Sequence, residues 1–530
     1  MLFNNKAIEK LLKEDNPDFK IQDYSSSSWN TVEQKLSIMS YDVPSIKKYI
    51  FASNDFKAIV GASKALDKFD STAKKVLEAE GAHVIITAGG TGLAICRISN
   101  KEKIEEKLKK SFTENVPGAK LIISFVDLPT KEIMNGLQDL CDYSPQSELI
   151  EKLNTQNKFS DLFQFLSVKL RENRNYALNE YSVIPPEIKR CEFCNQEPAT
   201  IKLPSYEEEV EICEYCYKKH ELGRKFIENN DNRMASGIDD IDIETNPSRK
   251  TKWYGVIYID GNNLGQLYSR IKDEEDYKKK SEKIDYTVKN SLNKIISEFS
   301  LEKKYLAPIL GGDDLLLFLP AALAFDVFNK LSSEIEKGFK ELGIGFCASI
   351  AIIPKKLPIK FVFDISSILL KSAKKEAYKE NPINPGNYIA FRTLYGNTLD
   401  PVNEIIYFSD SDILNNQLTV KEILGKGIKL EEFKKIIEEL KKDKKDYTQL
   451  FQKTLSCIRD HPVVAKLNIL YFLKRSKAFE NLQLTPKDFI EKFQLLKTVN
   501  NELYETRIQT LLDILKTLNL KSEEMHEKVR

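Results

Sequence analysis

Three aspartates and four cysteines are the residues of this chain whose types and spacing point to chemistry. Asp260 closes the apolar run 255–260, and fifty-one positions later Gly311-Gly312-Asp313-Asp314 separates the apolar runs 306–310 and 315–320. Runs of this length read as strands, and the glycines permit the positive φ of a tight hairpin, which leaves both aspartates at its tip. If the strands neighbour one another in one sheet, Asp260, Asp313 and Asp314 meet at one point. Carboxylates placed so closely repel unless divalent cations lie between them, and an all-oxygen donor set suits magnesium or manganese. Two such ions serve nucleotidyl transfer: one activates an attacking ribose hydroxyl, and both stabilise charge on the phosphates and the leaving pyrophosphate. An isolated Gly-Gly-Asp-Asp is also an ordinary hairpin turn. The strand-terminal Asp260 and the apolar flanks argue against that reading here.

The cysteines are Cys191-x-x-Cys194 and Cys213-x-x-Cys216, with eighteen residues between the pairs, a spacing typical of zinc ribbons. Each pair fits a tight knuckle, and four thiolates close a tetrahedral site with no open position, so the zinc expected there is structural. The competing reading is two reduced turns without metal. His220, four residues after Cys216, is expected at the surface rather than as a ligand. Cys96, Cys141, Cys347 and Cys457 are scattered and read as small buried apolar side chains.

The elements that must position these residues follow from periodicity. Residues 1–34 read as an appendage with one amphipathic helix at most. Strand-like runs at 36–41, 84–87, 93–98 and 121–126 alternate with helical ones at 46–52 and 71–80, an α/β or α+β pattern. Residues 135–228 are more helical and end in the cysteine ribbon, and 229–252 is polar, as in a linker or mobile loop. A second βα block runs from Trp253 to about Phe391. It adds a strand at 345–354 carrying Ser349 and a helix at 365–378 carrying Lys371, Lys374 and Lys375. Those lysines suit a triphosphate as point charges, with a solvated helix face as the alternative. Ser349 is a candidate for the base pocket or an ordinary strand residue. From about Lys429 the pattern is helical, as at 430–441 and 502–518.

With 530 residues the chain is long enough for several ordinary cores. Apolar residues make up 42% and charged ones 30%, with 80 Lys plus Arg against 79 Asp plus Glu and a net charge of +1. Such a chain is neither disordered nor a broadly basic coat for nucleic acid, so polynucleotide contact must come from a local surface or from partner subunits. The start carries no signal-peptide pattern and no run reaches the length of a membrane span, so a cytoplasmic location without membrane contact is expected.

The ordered set Ile-Asp260-Gly261-Asn262-Asn263-Leu, Gly311-Gly312-Asp313-Asp314 with its apolar flanks, Ala-Ser349-Ile-Ala-Ile and Leu-Leu-Lys371-Ser-Ala-Lys374-Lys375 resembles the cyclase palm of the large Cas10 subunit of type III CRISPR effector complexes. The ribbon placed before that palm matches the same family. So does an internal repeat. Residues 36–49, with Asp42, echo the strand of Asp260 and its following helix, and Gly89-Gly90-Thr91-Gly92 echoes the hairpin, with Thr91 and Gly92 expected where Asp313 and Asp314 stand. A first palm with only Asp42 cannot hold two metals and is expected to be catalytically silent.

The resemblance implies an α+β multidomain chain with two ferredoxin-like palms of the GGDEF and polymerase type. The expected parts are an appendage (1–34), a degenerate first palm (35–134), a helical and zinc-ribbon region with linker (135–250), a catalytic second palm (251–400) and a helical carboxyl-terminal domain (401–530). Asp260, Asp313 and Asp314 would be catalytic and hold two Mg2+ or Mn2+ ions. Gly261, Asn262, Asn263, Gly311, Gly312, Ser349, Lys371, Lys374 and Lys375 would contact nucleotide, and Asp42, Gly89 and Gly90 would line a second ATP site. The implied activity is conversion of ATP into cyclic oligoadenylate on target-RNA binding. The implied partners are guide-RNA-binding subunits, a small helical subunit docked on the tail, and guide and target RNA through the complex. None of His83, His220, His461 and His526 precedes an Asp, so the His-Asp nuclease of many family members is not expected. A stand-alone diguanylate-type cyclase and a non-catalytic scaffold are the alternatives. The ribbon and the repeat weigh against the first, and the retained carboxylates against the second.

Overall fold

A computed structural model describes residues 2–15, 17–21, 25–136, 158–177, 185, 187–204, 209–229, 233–243, 252–394, 404–408, 419–423, 425–441, 447–449, 451–453, 455–456, 497–498 and 503–526. Cys141, Cys457 and His461 lie outside the described residues; Cys96 and Cys347 are buried, as expected.

The first sheet contains β1 (Lys35–Asp42), β2 (His83–Ala88), β3 (Thr91–Arg97) and β4 (Ile122–Pro129) in the order β2-β3-β1-β4. The helices Phe56–Ala79 and Lys101–Asn115 fill the β1–β2 and β3–β4 connections, which gives the βαββαβ arrangement of a ferredoxin-like fold. After a short hairpin, β5 (Ile201–Leu203) and β6 (Val210–Ile212), the pattern returns. The strands β7 (Trp253–Gly261), β8 (Leu306–Gly311), β9 (Asp314–Pro320) and β10 (Phe346–Pro354) lie in the order β8-β9-β7-β10, with helices Glu274–Glu298 and Ala324–Glu341 in the two connections. This second sheet continues through β11 (Tyr388–Thr393), parallel to β10, to a two-residue edge strand at Ile428–Lys429. The expected repeat is therefore present as topology.

The strands β1, β3, β7, β9 and β10 are buried on both faces along nearly their whole length, whereas the outer strand β4 alternates. Leu36 and Ile38 of β1 pack with the amino-terminal residues Phe3, Ile8 and Trp29 and with Phe159 and Phe165 of helix Lys158–Ala177. On the other face, Met39 and Tyr41 join a cluster that includes Tyr254, Val256 and Tyr258 of β7, so the two sheets share one core. Phe51 and Phe363 stack across it with centroids 4.3 Å apart. Ile257 and Ile259 of β7 face the third cluster, with the helices Glu274–Glu298, Ala324–Glu341, Leu430–Leu440 and Ile508–His526.

Several expectations change. Residues 1–34 are not an appendage: helix Asn5–Asp15 and a second short helix, Ser26–Asn30 with its buried Trp29, cover the first sheet. The helix expected at 71–80 begins at Phe56, capped by Asp55, whose carboxylate accepts the Ala58 N–H at 2.7 Å. Between Asn229 and Lys252, the described stretch 233–243 is anchored: Ala235 and Ile241 are buried and Asp242 pairs with Lys355 at 2.7 Å. The segment after residue 400 is not purely helical, since strands Glu404–Phe408, Thr419–Ile423, Lys497–Thr498 and Leu503–Thr506 form a sheet. Residues 503–506 carry a helical pattern but pair with 419–423, a contact that no local pattern reveals. The tail also contributes to the core, because Phe433, Leu440, Ile508 and Leu511 pack beneath the second sheet.

The sheets are also tied by Glu274. Its buried carboxylate accepts the Asn4 N–H at 3.0 Å and His83 Nε2 at 2.9 Å, and pairs with Lys278. Despite burial, these hydrogen bonds and charges hold its pKa down to about 2 from 4.5. A depressed carboxylate stabilises the fold above its unfolded pKa and loses that contribution as pH falls toward the folded one. Glu274→Gln is therefore expected to cost about 2 kcal/mol at pH 7. The gap in unfolding midpoint between variant and parent should narrow below about pH 4.5, read by thermal melts from pH 7 to pH 3.

Candidate active site and metal-binding cluster

Asp260 is the penultimate residue of β7, and the β8–β9 hairpin turns at Gly311–Asp314, with Gly312 at φ +58°. Ile259 pairs with Leu315, so the next pair outward brings Asp260 opposite Asp314. Gly261 is required by close approach, because a Cβ there would stand 2.9 Å from Asp313 Cβ and Oδ2. Its N–H instead donates to Asp313 Oδ2 at 3.1 Å. Asp260 pairs with Lys374, whose ammonium also donates to Gly261 O at 3.3 Å. Asp314 is paired through both oxygens, at 3.1 and 3.0 Å, with Lys47 from the far side of the chain.

These surroundings shift the titrations in a consistent direction. Burial, with the neighbouring Asp314 and Asp260, pushes the Asp313 carboxyl up to about 7. Burial and Asp260 push Asp314 up, against the pull of Lys47 and Lys374. Two partly buried carboxyls that resist ionisation beside a third make a site that a hard divalent cation relieves, and the donors are all oxygen, so the residues fit such ions. The three side chains are each turned to a separate partner: among the described residues, only the cysteines have ligand atoms gathered within 4.8 Å of one another.

The other expected nucleotide contacts divide. Gly312 is exposed at the hairpin tip, and its N–H is taken by Asp285 at 3.0 Å. Lys371 and Lys375 are exposed on the helix Ile359–Glu380 that carries Lys374. Asn263, at φ +63°, is held by Tyr378, whose hydroxyl accepts its N–H at 3.3 Å, and by Ile383 O, which accepts from Nδ2 at 2.6 Å. Ser349 does not line the cleft, because it is buried in the sheet and donates to Ser366 O at 2.9 Å. Asn262 is likewise internal, with Nδ2 donating to Gly386 O at 3.2 Å. Ser349 lies within β10, and Asn262, just past the end of β7, is turned inward by bonds to Gly345 O and Gly386 O, contacts that the motif alone does not give.

At the first sheet, Asp42 ends β1 opposite Thr91, and Ala88 pairs with Thr91 across the hairpin as Gly311 does with Asp314. Gly90 and Thr91 thus stand where Asp313 and Asp314 do, one residue from the expected correspondence of Thr91 and Gly92. Counting from the glycines rather than from strand pairing causes the slip. Gly89 and Gly90 both adopt positive φ, and Asp70 accepts the Gly90 N–H at 3.2 and 3.1 Å, much as Asp285 holds Gly312. Burial raises the Asp42 pKa, with Arg174 opposing it. Lys47, Asp285, Asp70, Arg174 and Tyr378 carry no motif in the sequence.

Cys191, Cys194, Cys213 and Cys216 are buried together, with Cys194 Sγ and Cys213 Sγ 3.9 Å apart. Tetrahedral bonds of about 2.3 Å to a metal place ligand sulfurs about 3.8 Å apart, so the cluster fits one tetrahedral ion. Hydrogen bonds from the other three thiols hold the Cys191 thiol well below its ordinary value. His220 is neither a ligand nor at the surface: it is buried, with Nδ1 2.8 Å from Asp55. The helix Glu214–Asn229 that carries it crosses helix Phe56–Ala79 at Gly61 and Gly223, where an added Cβ would meet Lys219 O or Lys57 O at 1.9 Å.

Residues 253–383 match the family model of the Cas10/Cmr2 second palm domain. No curated protein sequence matches the chain. It is similar to the solved Csm1 of T. onnurineus, with a TM-score of 0.55 at 13% identity over 93% of this chain and 71% of that one. A Csm1–Csm4 cassette in complex with cA4 gives 0.55 at 12% identity, over 92% of this chain and 70% of that one. The Csm1–Csm4 subcomplex of the type III-A CRISPR-Csm interference complex gives 0.54 at 12%, over 91% and 70%. At these identities the structural likenesses establish fold. The chain therefore carries the second palm domain of the Cas10/Cmr2 family at residues 253–383, set within the fold of the Csm1 proteins.

Proposed function

We propose that this chain is the nucleotidyltransferase of a type III CRISPR effector complex, joining ATP molecules into cyclic oligoadenylate when the complex binds target RNA. The observation that carries this reading is Asp313 and Asp314 on a Gly-Gly hairpin beside the strand-terminal Asp260, with lysines reaching both sides. Support comes from neighbours solved as Csm1–Csm4 cassettes with one ATP, with pppApA and with cA4.

Asp260, Asp313 and Asp314 are the ligands for two Mg2+ or Mn2+ ions, which when bound favour ionisation of the attacking hydroxyl and stabilise charge on the phosphates. The protein's own part is positioning. Lys374, with the exposed Lys371 and Lys375, receives the triphosphate as point charges, and Gly261, Gly311, Gly312 and Asn263 let the backbone approach it. Asp42, Gly89 and Gly90 bound the site of a second ATP at the first sheet, which lacks the carboxylates to hold two ions. The cysteine cluster holds a structural zinc that fixes the ribbon against helix Phe56–Ala79.

Residues 35–134 and 251–400 are then the silent and active palms, with 135–250 as the ribbon region between them. Guide and target RNA are held mainly by other subunits, in a cytoplasmic complex. The segment from about Lys429 meets the small helical subunit through faces that its own core leaves free. Among the described residues, no helix is long and apolar enough to cross a membrane.

With labelled ATP, magnesium and target RNA, the assembled complex is expected to release cyclic oligoadenylate identifiable by mass spectrometry. Asp313→Ala with Asp314→Ala should lower that synthesis by several orders of magnitude while leaving assembly intact. Synthesis within tenfold of the parent would remove the assignment. Elemental analysis should find one zinc per chain, and Cys194→Ser should lose it and lower the melting midpoint without altering nucleotide selectivity.

A further inference from the structure

The two sheets differ at one position that neither the repeat nor the motif accounts for. Behind β1 and behind β7 the chain passes through a non-glycine residue in the left-handed region, Ser45 at φ +58° and Asn263 at φ +63°, and enters a short helix, Ile46–Ile50 or Leu264–Ser269. The second residue of these helices is Lys47 in the first and Gly265 in the second. Lys47 crosses to the other sheet and pairs with both oxygens of Asp314, its ammonium 5.2 Å from the centroid of the Tyr258 ring. A Cβ on Gly265 would meet nothing within 4 Å, and the counterpart of Asp314 is Thr91. Both members of the cross-sheet pair are thus absent on one side and present on the other. A lysine kept only for surface solvation would have no reason to follow the carboxylate.

We propose that Lys47 is a phosphate-binding residue that the first sheet lends to the site on the second, and that it alternates between Asp314 and the triphosphate of the bound nucleotide. This rests on the nucleotidyltransferase reading. A divalent cation on Asp314 needs the same carboxylate oxygens that Lys47 engages, so cation and ammonium compete for them. The displaced ammonium is left beside the cation's other ligands, the phosphates, where its charge is again matched. The side chain has room to move: Lys47 is 39% exposed and Asp314 24%, while Tyr49 and Ile50 bury the helix that carries it. Its flexible stem and compact charge suit such a transfer better than the rigid fork of an arginine would. Lys374 does not duplicate it, because that lysine comes from the second sheet's own helix and faces Asp260.

The test is binding by the full-length chain, with Mn2+ alone and with Mn2+ plus the α,β-methylene analogue of ATP, which cannot react. A half-exposed ion pair is worth up to about 1 kcal/mol, or about fivefold in affinity. Lys47→Met should therefore tighten binding of Mn2+ alone by about three- to fivefold and weaken binding of the analogue by at least as much. Lys47→Arg should restore most of the analogue affinity. If Lys47→Met leaves either affinity unchanged, while Asp314→Asn abolishes the Mn2+ site, the proposal fails and the nucleotidyltransferase reading stands. If no Mn2+ site in the parent chain responds to Asp314→Asn, that reading fails and the proposal falls with it.

Discussion

Repulsion among three carboxyls at the open end of one sheet is the constraint on which the remainder of the site depends. Asp260, Asp313 and Asp314 come together because β7 and β9 are neighbours and a four-residue turn cannot place its tip elsewhere. Left alone, such a group would protonate or splay. In this fold it does some of each: Asp313 is pushed up toward neutral pH, and the side chains diverge to Gly261, Lys374 and Lys47. The surrounding architecture supplies opposing charge from two directions, Lys47 at Asp314 and Lys374 at Asp260.

Duplication explains the architecture, and its decay explains the asymmetry. The same strand order, the same left-handed residue before the short helix and the same helix carboxylate on the hairpin recur in both sheets. With Gly90 and Thr91 in place of aspartates, the first hairpin itself presents no carboxylate to a cross-sheet lysine. The sheet whose hairpin lacks aspartates carries Lys47, which pairs across the interface, and the sheet whose hairpin has them carries Gly265 in the matching place.

The parts of the site that were legible in the sequence are those whose physics is local. Asp260 could be placed because five apolar residues precede it, the hairpin aspartates because two glycines make a turn, and the cysteines because a C-x-x-C knuckle needs no distant partner. What the sequence withheld depends on register and tertiary contact. Ser349 and Asn262 sit in the right segments but face inward. The helix Phe56–Ala79 was seen only in its last third, because Ile59, Val60 and Gly61 weaken the helical signal that packing restores. Lys47 lies in an unremarkable Ser-Ile-Lys-Lys, and nothing within several residues shows that its partner is more than 260 positions away.

The crossing of Gly61 and Gly223 has a mechanical meaning. Where two helices touch backbone to backbone there is no compressible layer of side chains between them, so the cysteine cluster, through helix Glu214–Asn229, and helix Phe56–Ala79 form a single stiff bracket. One arm of that bracket ends at Lys219, whose buried ammonium donates to Tyr49 O at 3.3 Å and lies 3.7 Å from the centre of the Tyr49 ring. Tyr49 is two residues from Lys47. Rigid contacts thus run without interruption from the cysteine cluster to the short helix whose Lys47 places a charge beside the neighbouring sheet's carboxylates.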